Sequence, residues 1–467
     1  MKFSYKLFLI PFVIFCLTVV LFVKFDFSGS ATIKISPSTT ITPPAIRKLN
    51  SIKLSASVVD FTASDGTIVS AMRITGPSDD VYFGSRIAEA GDVNGDGYKD
   101  ILISAPYNDL IASDAGLVYL IYGPINESTT EIESVQFSIN QSEYNLGIYI
   151  SPAGDLNSDG FDDIFISGGS SAEGDSVYLI YGKSDLSSML VSNSNVAKFN
   201  PFTTGMSGAP LGDINLDGYD DVLIYSSDHH ASYYVLSGSN TALKGVIEDS
   251  DSHLTAYELS DTSINFSRIA LENDINGDAI SDLIIGNPED NNLFISLGLA
   301  PWEEVSSFSC INTESIGNSL DSSHDFNNDG INDIIAGDYE SFSRAGQLVF
   351  IPGDLDSSFD CDSYHISGAE EYGELGTSVA YLDDWNGDAY PEILAGASGE
   401  SDDTGTLYFL YGEDGLDFNG RIEDRYDLLI SGENPDNYFG ENIESFEDGF
   451  LVSAKGFGDS GAVYVFY

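Results

Sequence analysis

The chain has 467 residues, 42% of them hydrophobic and 12% aromatic, with 46 glycines, so it holds ample core-forming material and many turn formers. Its 74 acidic residues face 18 basic ones for a formal net charge of −56. Much of that excess serves solubility, but it argues against nucleic acid or an anionic lipid surface as a partner and makes cations the natural ones.

Lys2 and Lys6 precede an uncharged apolar run from Leu7 to Val23, which reads as an export signal or a short membrane anchor with its N-terminus inside. Ser28-Gly29-Ser30 offers small residues for cleavage, and cleavage and retention both stay open. Residues 1–28 are therefore assigned as signal peptide or anchor, and the remainder of the chain is expected to be exported. The only expected contact with a membrane is through this segment. Cys16 follows Phe15, where a lipoprotein site wants a small residue, so lipidation is not expected. Residues 29–50 are rich in Ser, Thr and Pro and read as a linker. Cys310 and Cys361 are the other cysteines, and outside the cytosol one disulfide or two buried thiols are both compatible with the sequence.

From residue 51 to 467 the chain repeats itself. Six segments share Asp-x-Asn-x-Asp-[Gly/Ala]-x-x-[Asp/Glu], 51 to 63 residues apart. Oxygen donors at positions 1, 3 and 5, a backbone carbonyl at 7 and a carboxylate at 9 make a hard-oxygen cage suited to Ca²⁺. In loop one these are Asp92, Asn94, Asp96, the Tyr98 carbonyl and Asp100; in loop two Asp155, Asn157, Asp159, the Phe161 carbonyl and Asp163. Loop three offers Asp213, Asn215, Asp217, the Tyr219 carbonyl and Asp221, and loop four Asp274, Asn276, Asp278, the Ile280 carbonyl and Asp282. Loop five offers Asp325, Asn327, Asp329, the Ile331 carbonyl and Asp333, and loop six Asp384, Asn386, Asp388, the Tyr390 carbonyl and Glu392. Ala279 and Ala389 replace the glycine of position 6, and Pro391-Glu392 is a further departure in loop six. One such match is weak, but six in phase point to as many as six structural calcium ions. An EF-hand needs a bidentate Glu at position 12, where Ile103, Ile166, Ile224, Ile285, Ala336 and Ala395 stand instead. Zinc would want Cys or His donors, and Mg²⁺ seldom uses an all-protein cage.

Each loop runs into a short apolar segment such as Ile101-Leu102-Ile103 or Ile164-Phe165-Ile166, the pattern of a strand buried on both faces. A second strand ending in an aromatic-Gly turn comes next, as in Tyr119-Leu120-Ile121-Tyr122-Gly123, and then a more polar outer strand. A period near 60 with this filling fits one four-stranded blade of a propeller. A seventh unit opens at Phe439-Gly440 with its loop reduced to Glu447-Asp448-Gly449 and ends on Ala462 to Phe466 without an outer strand. Thr67 to Gly76 can supply that strand and close the ring.

These residues resemble the FG-GAP repeat family, the blades of the seven-bladed propeller of integrin α-subunits. The opening motif stands at Phe83-Gly84 and Phe439-Gly440, with variants at Leu146-Gly147, Ile316-Gly317 and Leu375-Gly376, and Gly-Ala-Pro-like turns at Ser104-Ala105-Pro106 and Gly286-Asn287-Pro288. The resemblance implies an all-β, seven-bladed propeller over residues 51–467, with structural Ca²⁺ loops on one rim. It also implies adhesion or ligand binding through blade loops on the other rim, with a protein or glycan as partner. No catalytic role is expected. Gly458-Asp459-Ser460-Gly461 mimics a serine-protease nucleophile motif but falls where Asp403-Thr404-Gly405 makes a turn in another unit. His229-His230 reads as a polar loop tip and His324 as a neighbour of loop five. Alternatives are a propeller with carbohydrate- or lipid-hydrolysing activity, or a structural envelope protein.

Overall fold

The computed structural model describes residues 23–25, 31–33 and 53–467, apart from 78–81, 126–130, 171–173, 194–195, 200–205, 227–231, 248–251, 259–267, 279–280, 289–290, 298–305, 309–312, 354–363, 413–417 and 448. The readings of Cys16, Cys310, Cys361, His229-His230 and most of residues 1–50 fall outside the described residues. Of that N-terminal stretch only an antiparallel pair, Val23–Phe25 with Ala31–Ile33, is described. Among the described residues no helix is long and apolar enough to cross a membrane.

Seven antiparallel sheets succeed one another along the chain. Blade 1 runs from the inside outward as Ile87–Gly91, Asp100–Ala105, Leu117–Ile121 and Val135–Ser138. Blade 2 comes next with Ile150–Gly154, Asp163–Ser170, Gly174–Ile180 and Ala197–Phe199, and blade 3 with Met206–Gly212, Asp221–Ser226, Ser232–Leu236 and Leu254–Glu258. Blade 4 has Arg268–Asn273, Asp282–Asn287, Asn292–Ser296 and Ser306–Phe308, and blade 5 Ser319–Asp321, Ile334–Asp338, Gln347–Ile351 and His365–Ser367. Blade 6 has Leu375–Leu382, Glu392–Ala397, Thr406–Tyr411 and Leu428–Ser431.

Blade 7 takes Phe439–Phe446, Gly449–Ala454 and Ala462–Phe466 from the C-terminus, then Ile68–Thr75 and Leu54–Thr62 from the N-terminal side. Ala462 pairs with Thr75 and Phe466 with Ala71, which is the closure the sequence implied. The inner strand of each blade lies beside the next, and Phe439–Phe446 returns to Ile87–Gly91, so the ring is complete. The architecture is an all-β propeller.

The second strands are buried on both faces, and their period of two divides the apolar residues between neighbours. Ile101 and Ile103 join Leu451, Val463 and Val465 of blade 7, while Leu102 between them joins Ile164, Ile166 and Tyr178 of blade 2. Likewise Ile393 and Ala395 pack with Ile335 and Phe350 of blade 5, and Leu394 with Phe450 and Tyr464 of blade 7. Each fully buried side chain of this size contributes about 1.5–3 kcal/mol, so the blade interfaces supply most of the driving force.

The outer edges of blades 1, 2, 5 and 7 carry short segments from the neighbouring blade, that on blade 7 being Glu131–Ile132. Met189–Leu190, from the connection between the third and fourth strands of blade 2, pairs parallel with the outer strand of blade 1. Gly245–Ile247 does the same for blade 2 and Gly420–Arg421 for blade 5. Such short additions occupy unpaired backbone groups that would otherwise invite association.

The opening motif has a plain physical role. Phe83 is fully buried, and Gly84 takes φ 89° so that its N–H reaches the Ser104 carbonyl at 3.0 Å. Ser104-Ala105 and Gly286-Asn287 are the last residues of the second strands rather than turns, because their backbone pairing with the third strand continues through them. Ser460, in the protease-like motif, donates its hydroxyl to the Gly76 carbonyl, and its own carbonyl accepts the Phe83 N–H, which ties the turn to the opening motif of blade 1.

Candidate metal centre

The Asp-Asn-Asp loops join the first strand of blades 1 to 6 to the second, so the topology puts all six on one rim. In blades 1, 2 and 3 a bulge sets the loop's direction. Register breaks between Glu89 and Gly91, Pro152 and Gly154, and Pro210 and Gly212, and the three glycines take φ of 75°, 67° and 58°.

Within a loop the backbone wraps around the position-1 carboxylate. Asp92 accepts N–H bonds from Gly95 at 2.7 Å, Asp96 at 3.0 Å and Gly97 at 2.8 Å. Asp155, Asp213 and Asp325 each accept the N–H groups of positions 5 and 6, and Asp274 and Asp384 those of positions 4 and 5. Asn94, Asn215, Asn276 and Asn327 accept the position-5 N–H through their side-chain oxygens. Asp96, Asp159, Asp217, Asp329 and Asp388 accept the N–H of position 7, drawing Tyr98, Phe161, Tyr219, Ile331 and Tyr390 into the loop. Ala279 and Ile280 of loop four lie outside the described residues.

Position 9 closes the loop from below. The Asp100 carboxylate is buried and accepts the Val93 N–H at 2.9 Å with one oxygen and the Gly123 N–H at 2.9 Å with the other. Asp163 binds Leu156 and Gly182 in the same way, and Asp333 binds Phe326 and Gly353. Asp282 accepts the Ile275 N–H. Burial, reinforced by the other carboxylates of the loop, pushes Asp100 up to about 7, Asp163 to about 8, Asp221 to about 6 and Asp333 to about 7.

Loop six differs because Glu392 is one methylene longer. Its Gly412 N–H goes to the Pro391 carbonyl instead, while Glu392 Oε2 accepts the Trp385 N–H at 2.7 Å and Oε1 is buried without a partner. The carboxylates of Asp384, Asp388 and Glu392 bring ligand atoms within 4.8 Å of one another, the one such acidic triplet among the described residues. The Pro391-Glu392 departure thus accompanies the tightest convergence of charge.

Whether these residues fit a cation is answered by their unpaired oxygens. Asn157 Oδ1 at position 3 of loop two, Asp221 Oδ2 at position 9 of loop three and Glu392 Oε1 are all buried with no hydrogen-bond partner. Buried oxygens left so cost about 1–3 kcal/mol each. A hard divalent cation would satisfy them, and the donor set of carboxylates, amide oxygen and backbone carbonyl is the one Ca²⁺ takes.

Two structural requirements were hidden in the sequence. Position 4 is left-handed in every loop, with Gly95, Ser158, Leu216, Gly277, Asn328 and Gly387 at φ between 54° and 85°. The run of Gly and Asn there is the signal that could have revealed it. The second is the glycine just after the third strand, 17 to 23 residues beyond position 9, which donates to the position-9 carboxylate in loops one, two, three and five. In blade 7 the two strands are joined by a tight turn, with Phe446 pairing directly with Gly449. His324, beside loop five, bonds Asp383 at 2.9 Å and Ser323 at 2.7 Å.

On the opposite rim lie the connections from second to third strand and from one blade to the next. Tyr82, Tyr107, Phe342 and Tyr372 are all exposed there, and Tyr82 meets Tyr107 edge to face at 5.8 Å. Tyr82, Phe342 and Tyr372 carry positive φ, which bulky residues rarely adopt.

Fold and loops together define a propeller whose blades carry Asp-Asn-Asp loops, and comparison with known proteins agrees with the propeller. The FG-GAP repeat family model matches residues 83–121. Human integrin alpha-IIb is 31% identical over 192 residues, 38% of this chain and 18% of that protein. Integrin alpha-3 of Cricetulus griseus is 31% identical over 173 residues (36% and 16%), and integrin alpha-V of Gallus gallus 27% identical over 209 (43% and 19%). The chain spans less than a fifth of the length of these relatives. Over the stretches matched, the chain is similar to FG-GAP repeat, integrin alpha-like proteins.

Proposed function

We propose that this chain is an exported calcium-binding propeller that acts as a ligand-binding or adhesion module at the cell surface. Residues 1–28 form the signal peptide or anchor, 29–50 the linker and 51–467 the propeller. The likeness to integrin alpha chains across the repeats carries the reading, and the orphaned oxygens of Asn157, Asp221 and Glu392 support its metal half.

Bound calcium supplies divalent charge to the loops and no chemistry beyond that. The position-1 carboxylates orient the loops through their own amides, and the position-9 carboxylates of loops one, two, three and five fasten them to the glycine behind the third strand. The metal rim is thereby the support. Ligand contact falls to the opposite rim, where Tyr82, Tyr107, Phe342 and Tyr372 offer apolar surface. The partner is a protein or glycan, and the role is not enzymatic.

The test is binding to glycan and matrix-protein arrays with calcium and with chelator. Specific capture that the chelator abolishes supports the proposal, and arrays without a calcium-dependent hit argue against it. Calcium near 10⁻⁴ to 10⁻³ M, roughly the extracellular range, should raise the melting temperature by mass action. An unchanged melting temperature would remove the metal.

A further inference from the structure

We infer that Asp162 and Asp220, which are not themselves cage donors, position the metal loop of the preceding blade and so make calcium binding at loops one, two and three cooperative. The inference rests on the calcium reading and goes beyond it to how the sites regulate one another.

Asp162 stands at position 8 of loop two, between the Phe161 carbonyl and the Asp163 carboxylate. Its side chain leaves its own loop and accepts the backbone N–H of Asp92, the first residue of loop one, at 2.6 Å. The Asp162 N–H returns a bond to the Asp92 carbonyl at 3.1 Å. Asp220, at position 8 of loop three, repeats the contact on the N–H of Asp155 at 2.8 Å. Two further bonds run the same way, from the Lys183 N–H to the Val93 carbonyl and from the Ser239 N–H to the Leu156 carbonyl, both at 2.9 Å.

The bulge glycines make room for this clip. A Cβ on Gly91 would stand 2.3 Å from Asp162 Oδ2, and one on Gly154 would stand 2.4 Å from Asp220 Oδ2. A side chain at either place would have to push the clip carboxylate aside. Position 8 of loops one, four, five and six holds Lys99, Ser281, Asn332 and Pro391, so the carboxylate clip belongs to loops two and three alone.

A cation in loop two would fix the residues on both sides of Asp162. The ordered carboxylate then holds the Asp92 peptide, and with it the position-1 donor of loop one, in its binding orientation. Loop one loses less conformational entropy on taking its own ion, and by linkage an ion in loop one favours loop two equally. Loop three acts on loop two through Asp220.

Terbium luminescence on the full-length protein reads this directly. Tyr98→Trp puts a sensitiser on loop one in a Trp385→Phe background that silences loop six, and the same background without Tyr98→Trp is subtracted. Asp162→Ala should weaken terbium binding at loop one by about fivefold or more. Asp162→Asn keeps an acceptor for the Asp92 N–H and should stay within about twofold of the parent. Asp159→Asn, which replaces a loop-two carboxylate by a neutral amide and so weakens its hold on the cation, should weaken loop one as Asp162→Ala does, whereas Asp388→Asn in loop six should not. The proposal is overturned if Asp159→Asn leaves loop one unchanged, or if Asp162→Asn loses as much as Asp162→Ala, which would make the effect one of general charge. Absence of terbium binding in the parent would instead overturn the calcium reading beneath it.

Discussion

Asp163 accepts the backbone N–H of Gly182 at 2.8 Å, joining the end of an Asp-Asn-Asp loop to the end of the third strand of its blade. Gly182 is irreplaceable there, since a Cβ would lie 2.3 Å from the Asp162 carbonyl and 2.8 Å from that of Val93. Both obstacles are backbone, so neither can swing aside. Gly182→Ala should destabilise the fold by about 2 kcal/mol or more, read as a lower urea midpoint. A midpoint equal to that of the parent would mean that the loop is not fastened in this way.

If the loops take calcium as proposed, the position-9 carboxyls should set opposite pH trends in chelator and in calcium. Burial raises Asp100 and Asp333 to about 7 and Asp163 to about 8 in the folded chain, and Glu400, buried against Tyr408 with Glu370 and Glu423 nearby, rises to about 7. A folded pKa above the unfolded one means that the folded state holds the proton more tightly. The resulting stability is complete below the ordinary carboxyl range and is lost as pH rises through 7 to 8. In chelator the melting temperature should therefore fall from pH 5 to pH 8. Calcium would require the position-9 carboxylates ionised, would release their protons on binding and should reverse the slope. Scanning fluorimetry across this range tests both, and a metal-free melting temperature that climbs with pH would contradict the assignment.

How far each constraint was legible in sequence depends on where it lies. Asp92 to Asp100 is a contiguous loop whose donors alternate, so its chemistry is written in nine adjacent letters, and six repeats at one phase count the blades. The closure of Ala462–Phe466 by Ile68–Thr75 was legible because a blade lacking an outer strand at one end leaves a matching strand unclaimed at the other. The Asp163 to Gly182 clamp depends on a hairpin returning to its start, and the Asp162 to Asp92 clip on two blades lying side by side. Neither has a local pattern, and Asp162 reads as one more surface carboxylate in a chain of 74 acidic residues. Glu392 read as a departure because a motif counts letters, whereas the cage responds to where an oxygen can reach.

Leu216 is the least suited residue at position 4. It is 86% exposed and sits at φ 60°, a conformation that costs a residue with a side-chain Cβ about 1–2 kcal/mol. Asn tolerates this region, as Asn328 does in loop five at φ 59°. Leu216→Asn should raise stability by roughly 0.5–1 kcal/mol without the entropy cost of glycine. Equilibrium unfolding in chelator checks it free of metal linkage, and a destabilised variant would show that Leu216 has a contact that outweighs its strain.

Ring closure has an ionic lock as well as a strand. Arg73, on the N-terminal strand of blade 7, places Nη1 2.7 Å from both oxygens of Glu433 in the connection from blade 6, and Tyr464 donates its hydroxyl to the same carboxylate at 2.7 Å. The guanidinium lies 4.6 Å from the Phe457 ring centre, and both partners of the ion pair are largely shielded. Shielding limits screening by salt, and truncation leaves Glu433 with the Tyr464 hydroxyl in place of a counter-charge. Arg73→Ala should therefore cost about 2–3 kcal/mol, and Arg73→Lys much of that, because an ammonium cannot keep both the contact with two oxygens and the stacking. Chemical unfolding at low and high ionic strength separates the lock from a surface pair: a loss that disappears in high salt would place Arg73 among ordinary exposed charges, whereas a loss of similar size at both marks it as part of the closure.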